Sequence, residues 1–472
     1  MGVLYRPEVG AIADVIPFCR DGVFHLFYLH DHRDPARFGP GVPWRLLQTR
    51  DFVHFEDRGV VIPTGPVGSQ DQWIFTGCVV EHAGRFHIFY TGHNHHLPPV
   101  GRPAEAIMHA VSDDLVNWQK DELFAPLFAP PGYERDDWRD PFVLWNAEEQ
   151  CWWMLLAARI TAQPSNPRPS GVTALLTSND LMHWQLRQPL YAPNLFYTHE
   201  CPDLFRIGDW WYLVFSEFSD RHTTRYRMSR SIRGPWLAPP DDELDTPAFY
   251  AAKTAQRDGE RFLFGWLASR ENCSDSGKWQ WGGDLVVHQI IQQPDGRLTV
   301  KMPQSIAASF GQIRPVQPRP VLGQWEVSGN AVRGGRVDGR SVLVLGELPD
   351  TCLIDMQLTL EAATREAGIA LRADPEKHGR WHEIRIEPHK NRIVLDRRSP
   401  HCRTRPFDLE RHCRLQPGAP IHLRIVVDGT CVVVYVNNAV AMSGRAYESF
   451  GTGWGLFVNE GSARCELSLR TR

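Results

Sequence analysis

The 472-residue chain contains no apolar stretch long enough to span a bilayer, which takes about 20 residues as a helix. It also has no long run of lysine and arginine, and 51 basic against 55 acidic residues leave a net charge of −4. A polyanion-binding surface needs the opposite balance, so neither nucleic acid nor membrane is an expected partner. The opening "MGVLYRPEVGAIADVIPFCRDG" has no basic segment followed by an apolar core, so nothing resembles a secretory signal and a cytoplasmic location is expected. The ten cysteines are scattered singly with no CxxC, several inside strand-like runs such as "QCWWML" and "GTCVVVYV". They read as buried free thiols in a reducing cytosol. Helical periodicity is scarce before residue 300.

Aromatic residues are plentiful, at 11% with 17 tryptophans. That supports a large core and leaves aromatic surface to stack on a ligand. Five aromatic-led apolar runs recur: "FHLFY" at Phe24, "FHIFY" at Phe86, "WMLLA" at Trp153, "WYLVF" at Trp211 and "FLFGW" at Phe262. Their spacing of roughly fifty to seventy residues suits a four-stranded unit with loops. A second signature follows the first three, "TRDFVHF" (49–55), "SDDLVNW" (112–118) and "SNDLMHW" (178–184), with a degenerate "SRSIRGPW" (229–236) in the fourth. Two motifs sharing one period predict an all-β fold, a five-bladed β-propeller, over residues 1–308. The alternative is a pair of β-sandwiches with coincidental spacing. Pro315, Pro318 and Pro320 mark 309–325 as a linker. Beyond it, alternating apolar and polar residues with "DG" and "NN" turns predict a C-terminal antiparallel β-sandwich over 326–472.

The repeat also serves as a ruler. The segment before each aromatic-led strand should be the innermost strand of its blade. Asp14 of "ADVIPF", Asp140 of "RDPFVLW" and Glu200 of "ECPDLF" stand at similar distances before Phe24, Trp153 and Trp211. The equivalent places in blades two and five hold "FTGCVV" around Thr76 and "FYAAKT" around Tyr250. Three acids from distant positions should therefore meet at one mouth of a central channel. Packed carboxylates raise one another's pKa and mark a functional site. Glycoside hydrolysis needs one carboxylic acid at the leaving oxygen and one carboxylate across the anomeric carbon.

"RDPFVLW" and "ECPDLF" resemble the RDP and EC motifs of glycoside hydrolase family 32, the invertase, inulinase and levanase family. "FHLFY", "FTGCVV", "FYTG", the repeated S-x-D-L-x-x-W, "RFLFGW" and the sandwich text "LRIVVDGTCVVVYVNN" are similar in order and spacing. The resemblance implies a retaining hydrolase of a β-fructofuranoside or related small furanoside oligosaccharide, acting without a cofactor or metal. Asp14 matches the nucleophile, Glu200 the general acid/base, Asp140 the transition-state stabiliser and Arg139 a hydroxyl donor beside it. Phe75 and Thr76 match an apolar wall and a hydroxyl contact. Trp44 is either a sugar-stacking platform or a core tryptophan at a strand start. Asp203 is either a supporting partner of Glu200 or a satisfied turn carboxylate.

The chain departs from the family pattern where the family grips fructose. "ADVIP" stands in place of Asn-Asp-Pro-Asn-Gly, so Ala13 replaces an amide, and Leu29 replaces the polar residue of "FYQ". Two His-rich loops, "LHDHRD" (29–34) and "TGHNHHLP" (91–98), are expected on the same rim. His30, His32, His93, His95 and His96 are candidates for sugar contacts replacing the lost amides; a metal site is the other use of such residues. "YERDDW" (133–138) is a further charged rim loop or a solvated turn. Two rival functions remain: an arabinanase- or xylosidase-like propeller hydrolase that inverts configuration, and a carbohydrate-binding protein without catalysis.

Overall fold

The computed structural model describes residues 2–162, 170–374, 381–396, 409–416 and 418–472. Its first three hundred residues form five antiparallel blades in series, the first and fifth joined into one sheet by the pairing of Ile12 with Gly283. The innermost strands are Ala11–Arg20, Trp73–His82, Tyr133–Asn146, Glu200–Ile207 and Phe249–Arg257. Each pairs with the strand that carries an aromatic-led run: Val23–Asp31, Arg85–His93, Cys151–Ile160, Trp210–Glu217 and Glu260–Arg270. Innermost strands of adjacent blades pack on one another around the ring. The molecule is the five-bladed propeller that the repeat predicts.

The middles of the second strands are apolar because they are buried on both faces. Along Cys151–Ile160, Trp152, Met154, Leu156 and Ala158 pack with Cys78, Phe89 and Val143, while Trp153 and Leu155 pack with Leu204, Leu213 and Phe215. The period of two splits one strand between two inter-blade cores. Each fully buried Leu or Met contributes about 1.5–3 kcal/mol.

The second signature is a turn. Thr49, Ser112 and Ser178 each accept backbone N–H groups two and three residues on, and Asp51, Asp114 and Asp180 do the same one step later. Directly after each aspartate, Phe52, Leu115 and Leu181 take φ of 62°, 66° and 66° and are buried. The side-chain hydrogen bonds hold an apolar residue in the left-handed region that it otherwise avoids. The motif recurs because the same corner is turned in three blades.

The ring also closes on aromatic contacts. Phe24 and Phe52 of blade one lie 5.5 and 4.7 Å from Phe262 of blade five. The sandwich follows, its two layers joined by the long strand Gly453–Thr471, which bends at Glu460 and Gly461, with φ of 51° and 151°. One half of that strand pairs with Glu366–Ala373 and the other with Thr351–Leu360. The segment read as a linker is not free. Gln312–Arg314 and Arg319–Leu322 add to sandwich edges by pairing with Leu469–Thr471 and Val342–Val344.

Propeller and sandwich meet across buried polar groups. Asp245 accepts from Ser443 N at 2.7 Å and lies 2.8 Å from His288 Nε2, whose Nδ1 is 2.9 Å from Tyr435 Oη. The Arg445 guanidinium donates to the carbonyls of Leu267 and Ala268 and pairs with Asp284. Buried groups of this kind are costly unless fully partnered, so the contact has one geometry.

Candidate active site

The five innermost strands carry a common irregularity. Each contains one extra residue against its partner: at Asp14 in blade one, Thr76 in blade two, Asp140–Pro141 in blade three, Cys201–Pro202 in blade four and Ala251–Ala252 in blade five. A β-bulge bends its strand and re-aims a side chain. Asp140, Cys201 and Ala251 sit at φ of 57°, 51° and 53°. The bulges form an inner ring of Asp14, Thr76, Asp140, Cys201 and Ala251, and the residues just before them include Phe75, Arg139, Glu200 and Tyr250. Glu200 is thus equivalent to Arg139 and Tyr250, and Cys201 is the residue equivalent to the two aspartates.

Asp14, Arg139, Asp140, Glu200, Cys201 and Tyr250 line one cleft of about 360 Å³, so the structure brings the three predicted acids together. Thr76 Oγ1 donates to Asp14 Oδ2 at 2.5 Å and Trp266 Nε1 to Asp14 Oδ1 at 2.9 Å. Glu200 accepts from Arg139 at 3.0 Å on one oxygen and from Tyr250 Oη at 2.6 Å on the other. Asp140 accepts from Cys201 N at 3.0 Å, and its own N–H donates to Thr91 Oγ1 at 2.8 Å. The Cys201 sulfur lies 3.9 Å from Asp14 and 3.8 Å from Asp140.

These contacts set the charges. Burial pushes the Asp14 pKa up, opposed by the Thr76 and Trp266 hydrogen bonds and reinforced by Glu200. Burial raises Asp140 to about 7, with Arg139 opposing and Glu200 and Asp14 adding to the rise. Burial works against the Arg139 charge, but Glu105, Glu200, Asp140 and Asp137 outweigh it and hold the guanidinium protonated. Burial beside Asp14 and Asp140 lifts the Cys201 thiol far above its ordinary value, so it is a small neutral filler between two carboxylates. Asp137 of the "YERDDW" segment bonds both Arg139 and Arg159, at 3.0 and 2.7 Å.

Several expected sugar contacts lie elsewhere. Trp44 has no exposed surface and donates Nε1 to the Phe75 carbonyl at 3.1 Å, so it is a core residue holding the blade-two strand. His30 is buried with Nε2 2.7 Å from the Val9 carbonyl, and His32 stacks on Phe38. His93 stacks behind Phe75 at 4.3 Å, and His95 packs on Trp73 at 4.2 Å. Thr76 is fully buried and supports Asp14, and Asp203 is buried and accepts from Thr254 N. Neither lines the cleft, whereas Phe75 does. Ala13 and Leu29, at the departures from the family pattern, are fully buried. Among the described residues no group of three or more His, Cys, Asp or Glu is placed to hold a metal.

Other residues on the cleft escaped the sequence reading: Trp266, Phe218, His222, Trp279, Gln280 and Trp281. His222 stacks on Tyr250 at 4.1 Å. The signal for Tyr250 and Ala251 was present, because "YAAK" is the blade-five counterpart of "ECPD".

Comparison with known proteins agrees with this geometry. The model of the glycosyl hydrolases family 32 N-terminal domain matches residues 6–300, and that of the family's C-terminal region matches 330–471. Sucrose-6-phosphate hydrolase of Escherichia coli is 26% identical over 444 residues, covering 90% of this chain and 84% of that protein. Raffinose invertase of Escherichia coli is 25% identical, covering 90% and 85%. Among solved structures, sucrose-6-phosphate hydrolase from Lactobacillus gasseri superposes with a TM-score of 0.75 at 17% identity, covering 100% of this chain and 92% of that one. Exo-inulinase from Aspergillus awamori superposes at 0.72 and 19% identity, covering 99% and 97%. The chain belongs to family 32 of the glycosyl hydrolases and is a glycosidase of the β-fructofuranosidase type.

Proposed function

We propose that this protein removes a terminal β-fructofuranosyl unit from a small oligosaccharide by a retaining double displacement. The carrying observation is the shared cleft, in which Asp14 and Glu200 are each held by two donors from other parts of the ring. Asp14 attacks the anomeric carbon while Glu200 protonates the departing glycosidic oxygen, so the carbon–oxygen bond breaks as the ester to Asp14 forms. Glu200, now ionised, takes a proton from water, which attacks the same carbon and frees Asp14. Thr76 and Trp266 aim the nucleophile and favour its carboxylate form. Asp140 faces sugar hydroxyls and, when ionised, favours the positive charge that develops on the ring. Relatives named as hydrolases of sucrose 6-phosphate and as raffinose invertase support a fructoside substrate.

The test is a panel of fructosides and arabinofuranosides with wild type, Asp14→Ala and Glu200→Gln. Turnover of a fructoside by wild type and its loss in both variants is expected. Equal turnover by all three would refute the roles, and sugar binding without turnover by any would favour a binding protein. A cytoplasmic location is part of the same proposal, in keeping with the free thiols among the described cysteines. Fractionation of the host cell, with activity in the soluble interior, checks it.

A further inference from the structure

The rim of the cleft carries an aromatic surface that the chemistry on the floor leaves unused. The hairpin between Glu260–Arg270 and Trp279–Gln292 places Trp279, Gln280 and Trp281 on the cleft. The two tryptophans are 37% and 39% exposed, whereas Trp44, Trp138, Trp153 and Trp266 are at most 1% exposed. Indole surface left open beside a reacting centre is the usual material of a ligand contact.

This hairpin is held from three directions. Arg33, on the blade-one loop, donates to Gln280 Oε1 at 3.1 Å and to the Trp281 carbonyl at 2.9 Å. Asp275, at the hairpin tip, accepts the backbone N–H groups of Tyr447 and Glu448 of the sandwich, each at 3.0 Å. Tyr447 Oη in turn accepts from Arg270 N at 2.9 Å. The Arg270 guanidinium lies 3.6 Å from the Trp279 ring centre and donates to the carbonyls of Asp275 and Gly277. Such clamping fixes the indoles before any ligand arrives and lowers the ordering cost of binding.

We propose that Trp279 and Trp281 are the platform for the leaving group, and that they take a neutral hexopyranose through its C–H faces, with Arg33 and Asp275 as positioning residues. The inference rests on the fructoside reading, which puts the fructosyl unit at the floor and its leaving group toward the rim. A phosphosugar would call for a cation at this place. The arginines beside the platform are instead engaged with Gln280, with backbone carbonyls and with the Trp279 ring, and the hairpin's remaining cation, the exposed Lys278, is not among the residues lining the cleft.

The experiment compares kcat/KM for sucrose, sucrose 6-phosphate and β-fructofuranosyl fluoride, whose leaving group is too small to reach the rim. Wild type is expected to prefer sucrose to its 6-phosphate. In the Trp279→Ala/Trp281→Ala variant the ratio of sucrose to fluoride should fall about 30-fold, the usual cost of truncating a buried aromatic anchor. Trp281→Phe, which keeps a ring, should retain most of the ratio. Arg33→Ala and Asp275→Asn should lower it less, chiefly through KM. A ratio unmoved in the double variant, or a wild-type preference for the phosphorylated sugar, would overturn the proposal. Failure of the fructoside reading is visible separately, as a wild type that leaves the fluoride intact. The platform is then judged by calorimetry with maltose: binding that the double variant loses upholds it, and binding that is absent or unaffected refutes it.

Discussion

The floor and the rim of the cleft are built in different ways. The floor is repetitive: one bulge per blade, at matching positions, turns five side chains toward the axis. The rim is singular: one hairpin is clamped by Arg33 from blade one and by Tyr447 and Glu448 from the sandwich. Repetition lets the ring geometry bring the acids and their donors from other blades to one place, so chemistry can stay fixed while the sugar-binding surroundings change. Clamping depends on contacts made across hundreds of residues, and it is there that a leaving-group preference can be rebuilt without touching Asp14 or Glu200.

Breaking the floor should have the largest effect. Asp14→Ala removes the proposed nucleophile and is expected to lower kcat by about 10⁴-fold or more, read by steady-state assay with unchanged far-UV circular dichroism. Next comes Thr76→Val, which deletes the 2.5 Å donor to Asp14. A hydrogen bond to a carboxylate lowers its pKa, so its loss raises the Asp14 pKa further. The acid limb of the kcat/KM profile should move to higher pH, with kcat/KM down by roughly tenfold along that limb, as one charge-assisted bond is worth about 1.5–3 kcal/mol.

Asp140 opposes stability to function. Its folded pKa of about 7 lies above the ordinary carboxylate value. Between the two the native state binds more protons than the unfolded one, so this group's contribution falls as pH rises through that window, by up to roughly 1.4 kcal/mol for each pH step of one. Asp140→Asn should therefore melt higher than wild type at pH 8, match it near pH 3.5, and be nearly inactive throughout. Calorimetry across that range sharpens the comparison, because a floor held by repetition tolerates the loss of one acid. His288→Ala, at the sandwich contact, strips Asp245 of a buried partner and should cost about 1–3 kcal/mol in urea unfolding. The smallest effect on catalysis is assigned to Trp44→Phe, which removes the bond to the Phe75 carbonyl and part of the ring packed on Phe27 and Tyr90. A stability loss of about 2–4 kcal/mol with little change in KM marks a core residue; a large rise in KM would mean a sugar platform.

The same contrast explains what could be read from sequence. The propeller was legible because its blades repeat, and Asp14, Asp140 and Glu200 because each stands on a repeated strand. The alignment of Glu200 with the aspartates was one residue off, since no spacing rule reveals that Pro202 follows a bulge at Cys201. Trp44 and His30 misled because burial depends on neighbours outside their own strands, Phe75 of blade two and the segment at Val9 that leads into blade one. The "KWQWGG" text around Trp279 and Trp281 carries no acid and no period, and only the tertiary clamps put it at the cleft.

Asp14 and Glu200 are proposed to work as nucleophile and acid/base across one anomeric carbon. Proton NMR of the sugar first released from a β-fructofuranoside, recorded before mutarotation, tests it most directly. Release of β-fructofuranose is the expected result; initial release of the α-anomer would mean direct attack by water and would contradict the account.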